Sequence, residues 1–171
     1  LPSNEIAHIK KIILFKDSLL KAEAGQAITV TLDREIDASR GDVIVASNEP
    51  CEVADQFEIR IIWMGHNEGF AGRSYILKLG TSEVNTQITK IKYKININTF
   101  EKLSINKLEL NDLAVVTIKT DRAIVFEKYL DCKGLGSLIL IDRVNNQTVA
   151  AGIINFALRR AKNIYKHKIE Y

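Results

Sequence analysis

The side chains that could carry chemistry in this 171-residue chain are few, and their spacing decides what they would do. Three histidines, His8, His66 and His167, share no metal-ligand spacing with one another or with Cys51 and Cys132, so no metal site is expected. The two cysteines lie far apart, without the close, even spacing of a small secreted disulfide framework, which points to a reducing cytoplasm. "GLG" at positions 134–136 lacks the third glycine and the strand-to-helix setting of a dinucleotide fingerprint, and it reads as a turn. The Walker pattern and the nucleophile elbow are absent from the sequence. Asp37, Asp42, Glu49 and Glu52 fall in predicted turns and strand ends, where solvated carboxylates are the norm; paired-carboxylate catalysis needs a cleft to hold both groups. This stretch of chain is therefore expected to supply no catalytic, cofactor-binding or metal-binding residue of its own.

Two further patterns invite a binding role. Lys90, Lys92 and Lys94 recur at the strand period and could meet phosphates on one face, but no aromatic residues interleave there as stacking platforms would. A solvated face that discourages edge pairing is the favoured reading. Arg40-Gly41-Asp42 would suggest cell adhesion in a secreted protein, a setting the cysteine usage argues against. It reads as a turn feeding the strand "VIV". A formal net charge of +3 is too small to demand a nucleic-acid partner. No apolar run reaches the length of a membrane span, and the N-terminus lacks a signal peptide's apolar centre. The missing initial Met suggests a piece of something longer.

The elements that must position these residues are mainly strands. In "KIKYKININ", Ile91, Tyr93, Ile95 and Ile97 alternate with Lys and Asn, which predicts a half-buried strand. In "FEIRIIWMG", Phe57, Ile59, Ile61 and Trp63 share one face, and Trp63 is expected in the core. "LAVVTIKT" and "SLILIDR" are continuous apolar runs suited to strands covered on both sides. Recurrent turn signals between them imply an antiparallel barrel or sandwich. Strands are also predicted near residues 9–15, 27–32 and 42–46, too few to close a barrel alone. Pro50, within "SNEPCEVADQ", marks the predicted domain boundary. In "NFALRRAKNIYKHK", Ala157, Leu158, Ala161 and Ile164 fall at helical spacing, with Asn155 as N-cap, which predicts a short C-terminal helix or linker.

Several of these stretches resemble a known family. "EAGQAITVTLDREIDASRGDVIV" is similar to the end of the second domain of translation-factor GTPases, and "LELNDLAVVTIKTDRAIVFEKY" with "GLGSLILIDRVNNQTVAAGII" to their third domain. Within that superfamily the chain resembles the large, GTP-binding subunit of bacterial sulfate adenylyltransferase, through "IIWMGHNEGFAGRSYILKLG" and "ITKIKYKININT" among others. The tail "FALRRAKNIYKHKIEY" resembles the segment leading into a fused adenylylsulfate kinase domain.

The resemblance implies antiparallel β-barrels of the elongation-factor domain II and III type. Residues 1–50 would be the C-terminal part of a domain II barrel, its N-terminal part missing. Residues 51–155 would be a domain III barrel, and 156–171 the linker or helix toward a kinase domain. It implies a cytoplasmic enzyme using GTP, ATP and Mg²⁺, none of them bound by this segment. The implied partners are a small catalytic subunit, an upstream GTPase domain and a downstream adenylylsulfate kinase domain, with no membrane and no nucleic acid. His66, Arg73, Arg159 and Arg160 are the candidate partner-interface residues. The alternative is an RNA-binding barrel module of a translation-factor GTPase, held to tRNA through the lysine row.

Overall fold

The computed structural model describes residues 1–158. The described residues form two compact units: one is Ser3–Ser39, the other Leu1–Pro2 together with residues 40–158. The first is a three-stranded antiparallel sheet in the order β2-β1-β3, made of β1 (Ile9–Leu14), β2 (Asp17–Leu19) and β3 (Thr29–Leu32).

The second unit holds β4 (Glu52–Trp63), β5 (Gly69–Phe70), β6 (Ser74–Leu79), β7 (Ser82–Ile95) and β8 (Lys102–Leu103). It continues through β9 (Lys107–Leu108), β10 (Leu113–Phe126), α1 (Lys133–Gly136), β11 (Ser137–Asp142) and β12 (Thr148–Ala157). Six of these strands run β10-β4-β12-β11-β6-β7, and β7 pairs back onto β10. Every pairing is antiparallel, so the sheet closes into a barrel and has no free edge there. Bulges in the β10 pairings with β4 and β7 supply the local bending that closure needs.

The barrel's interior follows from the alternation in the sequence. Phe57, Ile59, Ile61 and Trp63 all point inward and are fully buried. They meet Leu77 and Leu79 from β6, Ile88 from β7, and Leu138 and Leu140 from β11. Phe57 and Phe126 meet edge to face at 5.0 Å, and Trp63 and Tyr75 at 5.8 Å, the geometry that ring quadrupoles favour. In β10 the run Ala114–Ile118 is buried on both faces, as a continuous apolar run predicts.

Four expectations are corrected. Residues 42–46 form no strand, because a strand needs a neighbour along its length; Val43 exchanges its two backbone hydrogen bonds with Leu1 alone, at 2.9 and 3.1 Å. Ile97 is exposed, because β7 stops at Ile95 and the Asn96 side chain accepts from the N–H groups of Asn98 and Thr99, fixing a turn. β11 alternates: Leu138, Leu140 and Asp142 face in, while Ile139 and Ile141 are half-covered on the outside. Asn155 caps no helix, since β12 continues through Ala157 along its ladder with β4. The predicted helical tail beyond Leu158, with Arg159, Arg160 and His167, lies outside the described residues.

Candidate interaction site

The sequence candidates His66 and Arg73 come together in a cleft at one end of the barrel. Its walls are the loop after β4, the residue before β6 and the turn between β11 and β12, represented by Trp63, His66, Asn67, Arg73, Asn145 and Gln147. Trp63 anchors the first wall: its indole N–H donates to the Asn67 carbonyl at 3.0 Å, and the backbone N–H of Met64 donates to Val149 at 2.8 Å. Gly69 lies against the same ring so closely that a Cβ there would sit 2.7 Å from the indole. Only glycine lets the loop return across Trp63.

Arg73 is held from two sides. Its Nη2 donates to Asp142 Oδ2 at 2.6 Å, and its guanidinium lies over the Tyr75 ring at 5.7 Å. Asp142 is almost fully buried and accepts the Val144 N–H on its other oxygen at 2.8 Å, so one carboxylate fixes both Arg73 and the 143–147 turn. Beneath them burial pushes the Tyr75 phenol up to about 12; the Arg73 charge works downward and that of Asp142 upward. Asp142 and Tyr75 were not singled out from the sequence. The signal for Asp142 was there: it continues the inward phase of Leu138 and Leu140, and an inward carboxylate requires a cationic partner.

The other candidate groups do not converge. His8, in the unit Ser3–Ser39, is exposed and pairs through Nδ1 with Asp33 at 3.0 Å. Cys51 and Cys132 are free thiols; burial and the neighbouring Glu127 carboxylate push the Cys51 thiol up, which makes it a poor nucleophile. Among the described residues no cluster of three or more His, Cys, Asp or Glu could hold a metal ion. The enclosed space of the cleft, about 30 Å³, admits a water or two, far below the several hundred Å³ a nucleotide needs. Of the lysine row, Lys92 pairs with Glu58 and Lys94 with Asp112 at 3.1 Å. The Arg40-Gly41-Asp42 turn is structural: Gly41 has φ +106°, and its carbonyl accepts from Ser82 Oγ at 3.0 Å. No described helix is long and apolar enough to cross a membrane.

A family model described as GTP-eEF1A C-terminal domain-like matches residues 56–155, the span of the closed barrel. The chain belongs to the GTP-eEF1A C-terminal domain-like family. This member is 41% identical over 162 residues to a bifunctional enzyme NodQ of Rhizobium meliloti, covering 95% of this chain and 25% of the relative. It is 39% identical to a sulfate adenylyltransferase subunit 1 of Saccharophagus degradans, covering 90% of this chain and 33% of that protein. A bifunctional enzyme CysN/CysC of Xylella fastidiosa is 39% identical, covered at 96% and 26% respectively. The chain thus spans about a quarter to a third of these relatives. Among solved structures, Sup35 complexed with GDP superposes with a TM-score of 0.83 at 17% identity, over 93% of this chain and 40% of that one. At that identity the likeness establishes the barrel fold of the family and nothing further.

Proposed function

We propose that this chain is a barrel segment of the large subunit of a GTP-dependent sulfate adenylyltransferase, supplying no catalytic group and serving as scaffold and coupling module. The whole enzyme would convert ATP and sulfate to adenylylsulfate and pyrophosphate in the cytoplasm, driven by GTP hydrolysis on an upstream domain, with adenylyl transfer on a small partner subunit. A downstream adenylylsulfate kinase domain would make the enzyme bifunctional. Residues 1–50 are assigned to the second barrel domain and 51–155 to the third, with 156–171 leading onward. The observation that carries this reading is near-complete coverage of this chain by relatives at 37–41% identity, among them a sulfate adenylyltransferase subunit 1.

GTP, ATP and Mg²⁺ would be held by parts of the enzyme outside this segment. The RNA-binding alternative is weakened by the ion pairs that engage Lys92 and Lys94. The test is to co-express the full-length chain carrying this segment with a small sulfate adenylyltransferase subunit and follow pyrophosphate release from ATP and sulfate. GTP-stimulated release is expected; a preparation that binds GTP and the small subunit yet forms no adenylylsulfate overturns the assignment.

A further inference from the structure

Two half-buried free thiols, Cys51 and Cys132, belong to one corner of the barrel unit. Cys51 directly precedes β4, whose first residue, Glu52, pairs with Phe126, so Glu127 comes to lie across from Cys51. From there the chain turns back on itself. The N–H groups of Asp131 and Cys132 both donate to the Lys128 carbonyl at 2.9 Å, and the Glu127 N–H donates to the Leu135 carbonyl at 3.0 Å. Cys132 thus stays within one helical turn of Lys128, the residue that follows Glu127. α1 holds this turn in place: a Cβ on Gly136 would stand 2.3 Å from Tyr129 Cα, so helix and turn are packed backbone to backbone. Burial first, then the Glu127 carboxylate and then the Cys132 thiol push the Cys51 thiol up from its ordinary value. The two sulfurs and the carboxylate form one cluster, with Cys132 near enough to act on Cys51 through its charge.

We propose that Cys51 and Cys132 join in a reversible disulfide when the reduced protein meets hydrogen peroxide, Cys132 reacting first and Cys51 closing the bond. The order follows from the cluster. A thiolate is the nucleophile, and Cys51, half-buried beside a carboxylate, keeps its proton. Cys132 attacks one peroxide oxygen, becoming a sulfenic acid as water is released. Cys51 then attacks that sulfur: the S–S bond forms, the S–O bond breaks, and the Cys51 proton passes by way of Glu127 to the departing hydroxide, which leaves as a second water. Two thiols lose two electrons, and one peroxide is reduced to two waters. A thiol that holds its proton strongly is the stronger nucleophile once the proton is gone, which suits Cys51 to the second step. The product ties the start of β4 to the connection between β10 and α1, a covalent rung beside the Glu52–Phe126 pair. Exchange with a reducing thiol restores both cysteines.

The experiment adds hydrogen peroxide stepwise to the reduced full-length chain carrying this segment, blocks the remaining thiols, and maps tryptic peptides by mass spectrometry. The expected main product of these two cysteines joins peptides 41–60 and 129–133, two hydrogens lighter than their sum, and disappears on adding dithiothreitol. The oxidised protein should unfold at a higher urea concentration, since the bond constrains the unfolded chain. Cys51→Ser should leave Cys132 as a sulfenic acid that dimedone traps, whereas Cys132→Ser should leave Cys51 about tenfold less labelled. Wild-type protein whose two cysteines are oxidised separately, or whose bridge forms only in urea, overturns the proposal without recourse to any variant. Equal dimedone labelling in the two variants overturns the assigned order. The result does not depend on whether the whole enzyme activates sulfate.

Discussion

The sheet of Ser3–Ser39 and the barrel that begins at β4 use the same strand vocabulary with opposite results. Ile12, Ile13, Leu14, Val30 and Leu32 are as apolar as anything in the barrel, yet no residue of the three-stranded sheet is fully buried. In the barrel, alternate residues of β4 reach zero or one per cent exposure. The difference is closure. The three strands β2-β1-β3 do not close on themselves, whereas a sheet that returns on itself makes each strand part of every other strand's second layer. Alternation therefore encodes a face, and topology decides whether that face becomes a core.

The largest expected contrast is in core truncation. Phe57→Ala should destabilise the barrel by about 3–5 kcal/mol, and Ile13→Ala the small sheet by about 1 kcal/mol, read from urea unfolding by backbone circular dichroism and Trp63 fluorescence. Equal losses would break the comparison. Glycine substitutions sharpen it at smaller scale. Gly69→Ala drives a methyl group to 2.7 Å from the Trp63 ring and should cost about 1–3 kcal/mol with a shifted indole emission. Gly25→Ala meets open space and carries only the strain of φ +89°, about 1 kcal/mol.

The smallest effect concerns charge. On the barrel's outer surface, burial works to raise the Glu58 carboxyl, but hydrogen bonds from Lys92 and Asn155 prevail and hold it below its ordinary value. A carboxyl so lowered stabilises the fold above its unfolded pKa, and that contribution disappears as pH falls through the folded value. Glu58→Gln should therefore cost under about 1 kcal/mol at neutral pH and nothing in acid, by thermal melts at both pH values. In the small sheet the backbone N–H of His8 lowers Asp33 chiefly, with the His8 ring assisting, and Asp33→Asn should leave the barrel's transition unmoved.

The barrel strands were legible wherever apolar residues alternated without interruption, as in β4, or ran continuously, as in β10. Legibility failed where a long-range neighbour decided the outcome. "VIV" at positions 43–45 has strand propensity but a partner at Leu1 only. "NFA" at 155–157 has helical spacing downstream, but the β4 ladder holds it extended. Of the site, Arg73 and His66 could be picked from their loop, because glycine-rich connections expose polar groups. The Asp142 and Tyr75 partners that immobilise Arg73 lie on strands that the chain alone does not show to be adjacent.

β4 and β12 are antiparallel neighbours, and their ladder reaches the barrel mouth at Phe57 opposite Ala157, where the Leu158 N–H donates to Gln56 at 2.9 Å. The polypeptide thus enters and departs side by side. Tension applied between the start of β4 and the end of β12 would pull across this ladder, loading its rungs one after another like a zip, instead of shearing them all together. Such a barrel is expected to yield to force at lower load than one whose ends are pulled in shear.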